Sequence, residues 1–227
     1  MSAAPVGKQR KFQAVVFDMD GVVIDSHPAH RQAWQTFLSS LGKEVTLNEL
    51  DFILDGRKRC EILRYFLGDI TREEAAILGK KKDEFFREAA LELRLIPGVK
   101  IFLDSLRDQR ISLGLATSAS ASRTHFTLRR LNLKGHFQVV VTGDDVDQGK
   151  PNPAMYRMAC QALAVDPQDA IAIEDAVSGV VAARGAGMKC VGVSRNGKRD
   201  QLRDAGASGI IEDFLDFTPD RLNEICF

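Results

Sequence analysis

The chain has 227 residues, 44% of them hydrophobic, which is enough for one large domain or for a domain with a modest insertion. Lysine plus arginine and aspartate plus glutamate both number 31, so the formal net charge is zero, which disfavours partners such as nucleic acid or a membrane surface. The beginning of the chain, MSAAPVGKQRK, contains no apolar signal core, and no apolar run approaches the length of a membrane span. The four cysteines form no CxxC pair, which predicts reduced thiols in a cytoplasmic protein; they are Cys60, Cys160, Cys190 and Cys226.

Short apolar runs rich in β-branched residues recur along the chain. They span 14–17, 112–117, 139–142, 170–175, 189–193 and 209–211. Because each run is nearly continuous in apolar character, we expect strands that are buried on both faces of a parallel sheet. Helical patterns lie between the later runs, over 99–108, 120–131, 153–163, 178–186 and 198–205. This alternation predicts a doubly wound α/β fold with a parallel sheet.

One interval breaks the alternation. Residues 27–95 have a helical pattern throughout, as in AHRQAWQTFLSSLG and TREEAAILGKKKDEFFREAALEL, and no convincing strand. We therefore interpret 27–95 as a helical domain inserted after the first strand. Residues 1–26 and 96–227 then form the α/β core.

Paired carboxylates follow the first predicted strand, in the stretch FDMDGVVIDS. In open α/β sheets ligands bind at the carboxyl ends of the strands, so Asp18 and Asp20 are candidate site residues. A helix cap or an acidic turn is the alternative interpretation, since aspartate commonly fills both roles. Residues 21–25 read as a glycine turn and a short extended segment, which argues against a plain helix cap.

Two further clusters at predicted strand ends suit an anion. Thr117 and Ser118 end the second strand and open a helix, where a hydroxyl and free backbone N–H groups can bind phosphate. An ordinary serine N-cap explains the same residues. Lys150 lies between Gly149 and Pro151, in a defined loop where it can place a compact positive charge near a phosphate or carboxylate. A surface lysine is the alternative there.

The fourth cluster is acidic. Glu174 and Asp175 end an otherwise apolar strand, where two carboxylates are costly without a cation or hydrogen-bond donors nearby. Together with Asp18 they form an oxygen-rich set that suits Mg²⁺. It is the occurrence of all four clusters at strand ends that indicates one site.

At these residues the chain resembles the haloacid dehalogenase superfamily of phosphohydrolases, over nearly its whole length. FDMDGVVIDS looks like the family's first motif, DxDGV, while Thr117, Lys150 and the pair Glu174-Asp175 match the second, third and fourth. The resemblance implies a Rossmann-like core with an inserted α-helical cap domain. Within the superfamily the likeness is greatest to the β-phosphoglucomutase and sugar-phosphate phosphatase group.

The resemblance also implies roles for the two aspartates and the phosphate-binding residues. Asp18 is expected to be the nucleophile that takes the phosphoryl group, and Asp20 the general acid and then the base for water. An environment that raises the pKa of Asp20 is therefore expected. Thr117 and the Ser118 N–H are expected to hold the phosphate, joined by Lys150.

The same resemblance implies a metal cofactor. Mg²⁺ is expected to bind the Asp18 carboxylate, the Asp20 main-chain carbonyl and Asp175, with Glu174 assisting. A carboxylate that attacks a phosphate dianion meets like-charge repulsion, which Mg²⁺ and Lys150 can offset.

The helical segment carries further matches to the mutase group, and departures from it. His30 matches a hinge histidine and Arg59 an arginine that grips a distal phosphate; the alternatives are a partly buried helix residue and a solvated helix charge. Asp55 stands where the mutases carry a lysine, and Ala176 stands where many relatives carry serine. Asp55 therefore argues against mutase activity, although Arg57 and Lys58 can compensate.

These expectations favour a Mg²⁺-dependent phosphatase of a small phosphorylated metabolite, a sugar or polyol phosphate. The alternative is a β-phosphoglucomutase-like isomerase that uses the same Asp18 intermediate. A haloacid dehalogenase does not need Asp20, a phosphonatase-type relative is expected to carry a small residue there, and a non-catalytic binding protein on the same fold has no need of the whole set. Since the cap must move, we expect a monomer.

Overall fold

The computed structural model describes residues 11–195 and 197–227. The expected absence of a signal segment concerns residues that lie almost wholly outside this part of the chain. The strands are β1 (Ala14–Phe17), β2 (Ser112–Ala116), β3 (Val139–Val141), β4 (Ala170–Glu174), β5 (Lys189–Val193) and β6 (Gly209–Ile211). The helices are α1 (His27–Ser39), α2 (Leu47–Ile53), α3 (Arg59–Leu67), α4 (Arg72–Ala89), α5 (Val99–Asp108), α6 (Ala121–Arg130), α7 (Ala154–Leu163), α8 (Val177–Ala186), α9 (Arg199–Asp204) and α10 (Pro219–Cys226).

The strands form one parallel sheet in the order β3-β2-β1-β4-β5-β6. The chain runs outward from β1 in one direction and then returns to the other side of β1 with β4. The direction of winding therefore reverses between β1 and β4, and such a reversal opens a crevice at the carboxyl ends of the strands. The predicted doubly wound α/β fold is confirmed.

The two faces of the sheet carry side chains of different size. On one face, Val15 and Phe17 of β1 pack with Leu115, Ile173 and the helices α5, α6 and α10. On the other face, small side chains such as Ala170 and Ala172 pack under α7 and α8. Both faces are buried, which explains why the strands read as continuous apolar runs.

Helices α1 to α4 lie between β1 and α5 and have an apolar cluster of their own. Trp34, Phe37 and Leu38 of α1 pack there with Leu63 of α3 and Ala75 of α4. Both α2 and α4 begin with a capping box, in which Thr46 pairs with Glu49 and Thr71 with Glu74. This all-helical insertion matches the predicted fold class.

Helix α10 and the exact position of α2 were not predicted. The motif TLNE at the start of α2 is a capping box that the sequence does reveal. At the start of α10, Thr218 accepts a hydrogen bond from the Arg221 N–H, and Pro219 occupies the first turn. The four cysteines are free thiols. Among the described residues no helix has the length and apolar character that crossing a bilayer requires.

Candidate active site

The sheet brings three of the predicted clusters together. Phe17, the last residue of β1, is in register with Leu115 of β2 and Ile173 of β4. The segments that follow these three residues carry Asp18, Thr117 and Glu174, which therefore lie at the same edge of the sheet. The Asp18 N–H continues the ladder by donating to the Ile173 carbonyl oxygen at 2.9 Å, which fixes the backbone of Asp18 beside β4.

Lys150 bridges the ends of β1 and β4. Its side chain is fully buried, and its Nζ lies 2.5 Å from Asp18 Oδ1 and 2.6 Å from Glu174 Oε1. Glu174 Oε1 also accepts the Tyr156 hydroxyl at 2.7 Å, and its Oε2 accepts the N–H groups of Asp175 and Ala176. Burial opposes the charged form of Lys150, but the two carboxylates outweigh it and raise the pKa of the lysine. Lys150 is therefore a fixed cation beside Asp18.

Three carboxylates at this edge fit a divalent metal ion. One oxygen each of Asp18, Glu174 and Asp175 lie within 4.8 Å of one another. Burial raises the pKa of Asp18 well above its usual value; Lys150 opposes this, and the neighbouring carboxylates add to it. A hard cation with oxygen ligands relieves that repulsion, so the residues present fit Mg²⁺. Because the oxygens of Glu174 already accept four hydrogen bonds, Glu174 suits an assisting position better than a direct ligand.

The predicted phosphate-binding residues lie around the same pocket. Thr117 is buried. Its N–H donates to the Val141 carbonyl oxygen of β3 at 2.9 Å, and its hydroxyl accepts the Ala119 N–H. Ser118 lines the pocket, and its hydroxyl donates to the Gly56 carbonyl oxygen at 2.5 Å. The turn between β2 and α6 therefore holds both residues next to Asp18.

Asp20 is surrounded by donors. Its Oδ1 accepts the Ser26 hydroxyl at 2.6 Å and lies 3.2 Å from His30 Nε2. Arg123 of α6 grips both carboxylate oxygens, with Nη1 3.0 Å from Oδ1 and Nη2 2.6 Å from Oδ2. Such a two-pronged contact fixes the orientation of the carboxylate as well as its charge.

The expected rise in the pKa of Asp20 is wrong for this state of the protein. Burial alone would raise the pKa, but the positive charge of Arg123, assisted by the hydrogen bond with His30, outweighs burial and holds the pKa well below its usual range. Asp20 is therefore a carboxylate here, which is the form that accepts a proton from water. The proton-donating form is disfavoured as long as Arg123 keeps this contact.

His30 connects Asp20 to the helical segment. Its Nδ1 lies 3.2 Å from Nζ of the buried Lys82, and its ring packs against Phe86 at 4.4 Å between centroids. Burial, together with Lys82, lowers the pKa of His30 to about 3, so the ring is neutral. Because Lys82 donates to Nδ1, the Nε2–H is left to donate to Asp20. Burial in turn lowers the pKa of Lys82 to about 7.

Arg59 lines the pocket, but its guanidinium is already engaged. Its Nη1 lies 2.5 Å from Asp83 Oδ2, and the Ser120 hydroxyl donates to the same oxygen. Arg57 is 3.9 Å from Asp55. Each arginine of this pocket, including Arg123, therefore lies against a carboxylate.

One pocket of about 80 Å³ contains most of the predicted site residues. Its lining includes Asp18, Asp20, His30, Arg59, Thr117, Ser118 and Asp175, together with the apolar side chains of Trp34, Ile53, Leu54 and Ile62. Lys150 and Glu174 are not part of the lining, since they lie fully buried behind Asp18.

Sequence reasoning missed Arg123 and Lys82, although each left a signal. A cation in the first turn of a helix is opposed by the helix dipole, so Arg123 near the start of α6 indicates a specific acidic partner. Lys82 falls on the buried face of α4 in line with Ala75, Gly79 and Phe86. A charge at a position where the helical period requires an apolar side chain indicates a buried polar network.

The parallel sheet and the acidic, lysine-backed crevice at the ends of its strands define the class of protein, a doubly wound α/β fold with a candidate active site at its switch point. A family model described as haloacid dehalogenase-like hydrolase matches residues 15–193. A phosphorylated carbohydrates phosphatase from Thermotoga maritima is 34% identical over 206 residues, covering 88% of this chain and 94% of that protein. A β-phosphoglucomutase from Bacillus subtilis is 30% identical over 221 residues, covering 93% and 94%.

A solved structure agrees with these relatives. The β-phosphoglucomutase of Clostridium difficile superimposes with a TM-score of 0.84 at 25% identity, covering 94% of this chain and 96% of that one. The chain belongs to the haloacid dehalogenase-like hydrolase family.

Proposed function

We propose that this protein is a Mg²⁺-dependent phosphatase that hydrolyses a small phosphate monoester, a sugar or polyol phosphate. It is an enzyme of the phosphoric monoester hydrolase class. The observation that carries the proposal is the meeting of Asp18, Lys150 and Asp175 at one sheet edge, beside the Thr117 turn. The phosphatase relative from Thermotoga maritima supports it.

In the first half of the proposed reaction, one Asp18 oxygen attacks the phosphorus and the ester P–O bond breaks. The leaving oxygen takes a proton from Asp20, which must first be protonated with substrate in place. In the second half, water attacks the phosphorus of the aspartyl phosphate, Asp20 takes the water proton and Asp18 is released. Dividing the transfer in this way replaces one difficult step by two easier ones.

The surrounding residues have proposed roles in both halves. Lys150 keeps Asp18 oriented and offsets the charge of the phosphoryl oxygens, while Thr117 and the Ser118 N–H hold them. The ion that Asp18, Asp175 and the Asp20 carbonyl would hold supplies charge neutralisation during phosphoryl transfer. Residues 27–95 are proposed to act as a cap domain that excludes water from the pocket while ester is bound.

The charges in the pocket favour a substrate whose remote end is neutral. Arg59 and Arg123 are paired with Asp83 and Asp20, so a second phosphate would have to displace a carboxylate to reach either of them. Apolar side chains, among them Trp34 and Ile62, form another part of the pocket wall. A phosphatase with a monophosphate substrate meets this condition more easily than a mutase, which passes through a bisphosphate.

A β-phosphoglucomutase-like activity is the second candidate. It is favoured by the relatives of that name and by Arg59, which does line the pocket. Both activities would share Asp18 and Mg²⁺, and they differ only in whether water or sugar receives the phosphoryl group.

Phosphorus NMR separates the two. The protein would be mixed with Mg²⁺, β-glucose 1-phosphate and a trace of glucose 1,6-bisphosphate, and then with a panel of sugar and polyol monophosphates. Growth of inorganic phosphate supports the phosphatase, and growth of glucose 6-phosphate supports the mutase. A phosphorus spectrum that stays unchanged with every ester, for the wild type as for Asp18→Asn, would contradict both activities.

A further inference from the structure

Asp55 and Ala176, the two residues that differ from the expected family residues, lie close together in the structure. Asp55 lies in the turn between α2 and α3, and Ala176 directly precedes α8. Asp55 Oδ1 accepts the Ser178 N–H at 3.3 Å, and the Ser178 hydroxyl donates to the Asp55 carbonyl oxygen. A Cβ on Gly56 would lie 3.4 Å from Ala176 Cβ, so the turn rests on the start of α8.

Helix α8 has no side-chain cap of its own. Ala176 holds the N-cap position in extended backbone, but it has no oxygen to accept a hydrogen bond from the first turn. Ser178 is the second residue of the helix, and its N–H is a usual partner of an N-cap oxygen. Asp55 therefore supplies the missing cap from another part of the chain, and its negative charge suits the positive end of the helix dipole.

The same turn reaches a second strand end. Gly56 has a φ of +70°, in the region that favours glycine, and its carbonyl oxygen accepts the Ser118 hydroxyl at 2.5 Å. Asp55 and Gly56 thus contact the segments that follow β4 and β2. These are the two strands on either side of β1, which carries Asp18.

We propose that Asp55 and Gly56 form a latch that holds the helical segment closed over the pocket. Asp55 is the positioning residue of this latch, because its carboxylate caps α8 only while the segment is closed. The proposal rests on the proposed function in one respect, that residues 27–95 open and close. It goes beyond that function by assigning a task to the aspartate that replaces the lysine of the mutases: Asp55 stabilises closure and does not bind a substrate anion.

Hydrogen exchange tests the latch without any substrate. In Asp55→Ala, exchange at the start of α8 should become about fivefold faster, the factor that one helix cap corresponds to. Asp55→Asn keeps an oxygen that accepts the Ser178 N–H and should retain most of the protection. Asp69→Ala removes an exposed carboxylate of the same helical segment and should change nothing. Equal protection in the wild type and Asp55→Ala would overturn the proposal.

Ala176→Ser separates helix capping from closure. A serine hydroxyl at this position can accept the Ser178 N–H itself and so competes with Asp55 for it. In the wild-type background this change should speed exchange in the 55–57 turn while α8 stays protected. In the Asp55→Ala background it should restore protection of α8 but not of the turn. Restoration of both would mean that Asp55 acts only as a structural cap.

The single tryptophan gives a second readout, since Trp34 is buried and lines the pocket from the helical segment. Asp55→Ala should make Trp34 more accessible to acrylamide, and Mg²⁺ with inorganic phosphate should reverse this in part.

In turnover, the KM of Asp55→Ala should be several-fold above that of the wild type, with kcat within about twofold, since closure and not chemistry is affected. Changed exchange and quenching in Asp55→Ala, with no ester hydrolysed by the wild type, would support the latch and contradict the proposed phosphatase activity. Hydrolysis by the wild type, with unchanged exchange in Asp55→Ala, would support the phosphatase and contradict the latch.

Discussion

At the scale of single residues, Arg123 determines the ionisation of Asp20. Its guanidinium grips both carboxylate oxygens, and it packs on the ring of Phe86 at 5.0 Å. The group proposed to act as acid and base is therefore held by the core helix α6 and, through His30, by the helical segment. A resemblance that names only Asp20 does not reveal this control, because it comes from residues distant in sequence.

Replacing Arg123 should change how stability depends on pH. A carboxyl group with a depressed pKa in the folded state contributes stability above its unfolded pKa, and this contribution is lost as the pH falls through the folded value. We expect Arg123→Gln to lower the free energy of unfolding at pH 7, and the deficit to shrink as the pH falls below the usual aspartate value of 3.8. Urea unfolding of both proteins from pH 7 to pH 3 measures it.

Arg123→Lys is the matched control, since it keeps the charge but loses the two-pronged geometry. It should recover part of the stability at pH 7. A stability deficit for Arg123→Gln that stays constant across the pH range would contradict the pairing with Asp20.

At the scale of elements, α8 lies so close to β4 that the Glu174 side chain leaves no room for a Cβ on Gly179 in its first turn. A Cβ on Gly179 would lie 2.0 Å from the Glu174 carboxyl carbon, whereas a Cβ on Gly185 in the same helix would lie 3.6 Å from its nearest neighbour, Pro153 Cβ. The first glycine thus protects the Glu174–Lys150 contact, and the second does not.

These two glycines give a matched pair of variants. Gly179→Ala should displace Glu174 and with it Lys150, lowering kcat by about 100-fold, the loss expected from a misplacement of about 1 Å. Gly185→Ala should leave activity unchanged and raise stability by about 0.5–1 kcal/mol, since alanine is the better helix former. Phosphate release and thermal unfolding measure both; equal activity of the two variants would show that the position of Glu174 is unimportant.

The elements also show what a sequence can predict. The strands were predicted to within a residue because their apolar, β-branched runs are buried on both faces and need no distant information. The positions of Asp18, Thr117 and Asp175 directly after strands followed from those runs, whereas Lys150 lies in the loop before α7, well after β3 ends at Val141. In contrast, α10 is short, and its caps give only a local signal.

At the scale of the whole molecule, the contacts between the helical segment and the core could not be predicted. Asp20 and Arg123 are 103 positions apart, and Asp55 and Ser178 are 123 apart. No local period or motif links such pairs, since their approach depends on how the insertion folds over the sheet. This is why the ionisation of Asp20 was predicted in the wrong direction. The division into domains and the expected monomer remain predictions.

Metal binding should stabilise the whole molecule. An ion that binds the folded state at about 100 times its Kd adds about 2.7 kcal/mol, which for a chain of this length raises Tm by about 5–10 °C. We expect MgCl₂ to produce a shift of this size, EDTA to reverse it, and Asp175→Asn to remove most of it. Calorimetry measures the three; an undiminished shift in Asp175→Asn would place the ion elsewhere.

The most direct test of the account is to trap the phosphorylated enzyme. The wild type would be mixed with Mg²⁺ and an ester that it hydrolyses, quenched in acid within one turnover, and analysed by peptide mass spectrometry. We predict the added mass of one phosphoryl group on the peptide that contains Asp18, and its absence in Asp18→Asn. Hydrolysis of the ester with no phosphorylated peptide, or with the phosphoryl group on another residue, would contradict the proposed role of Asp18.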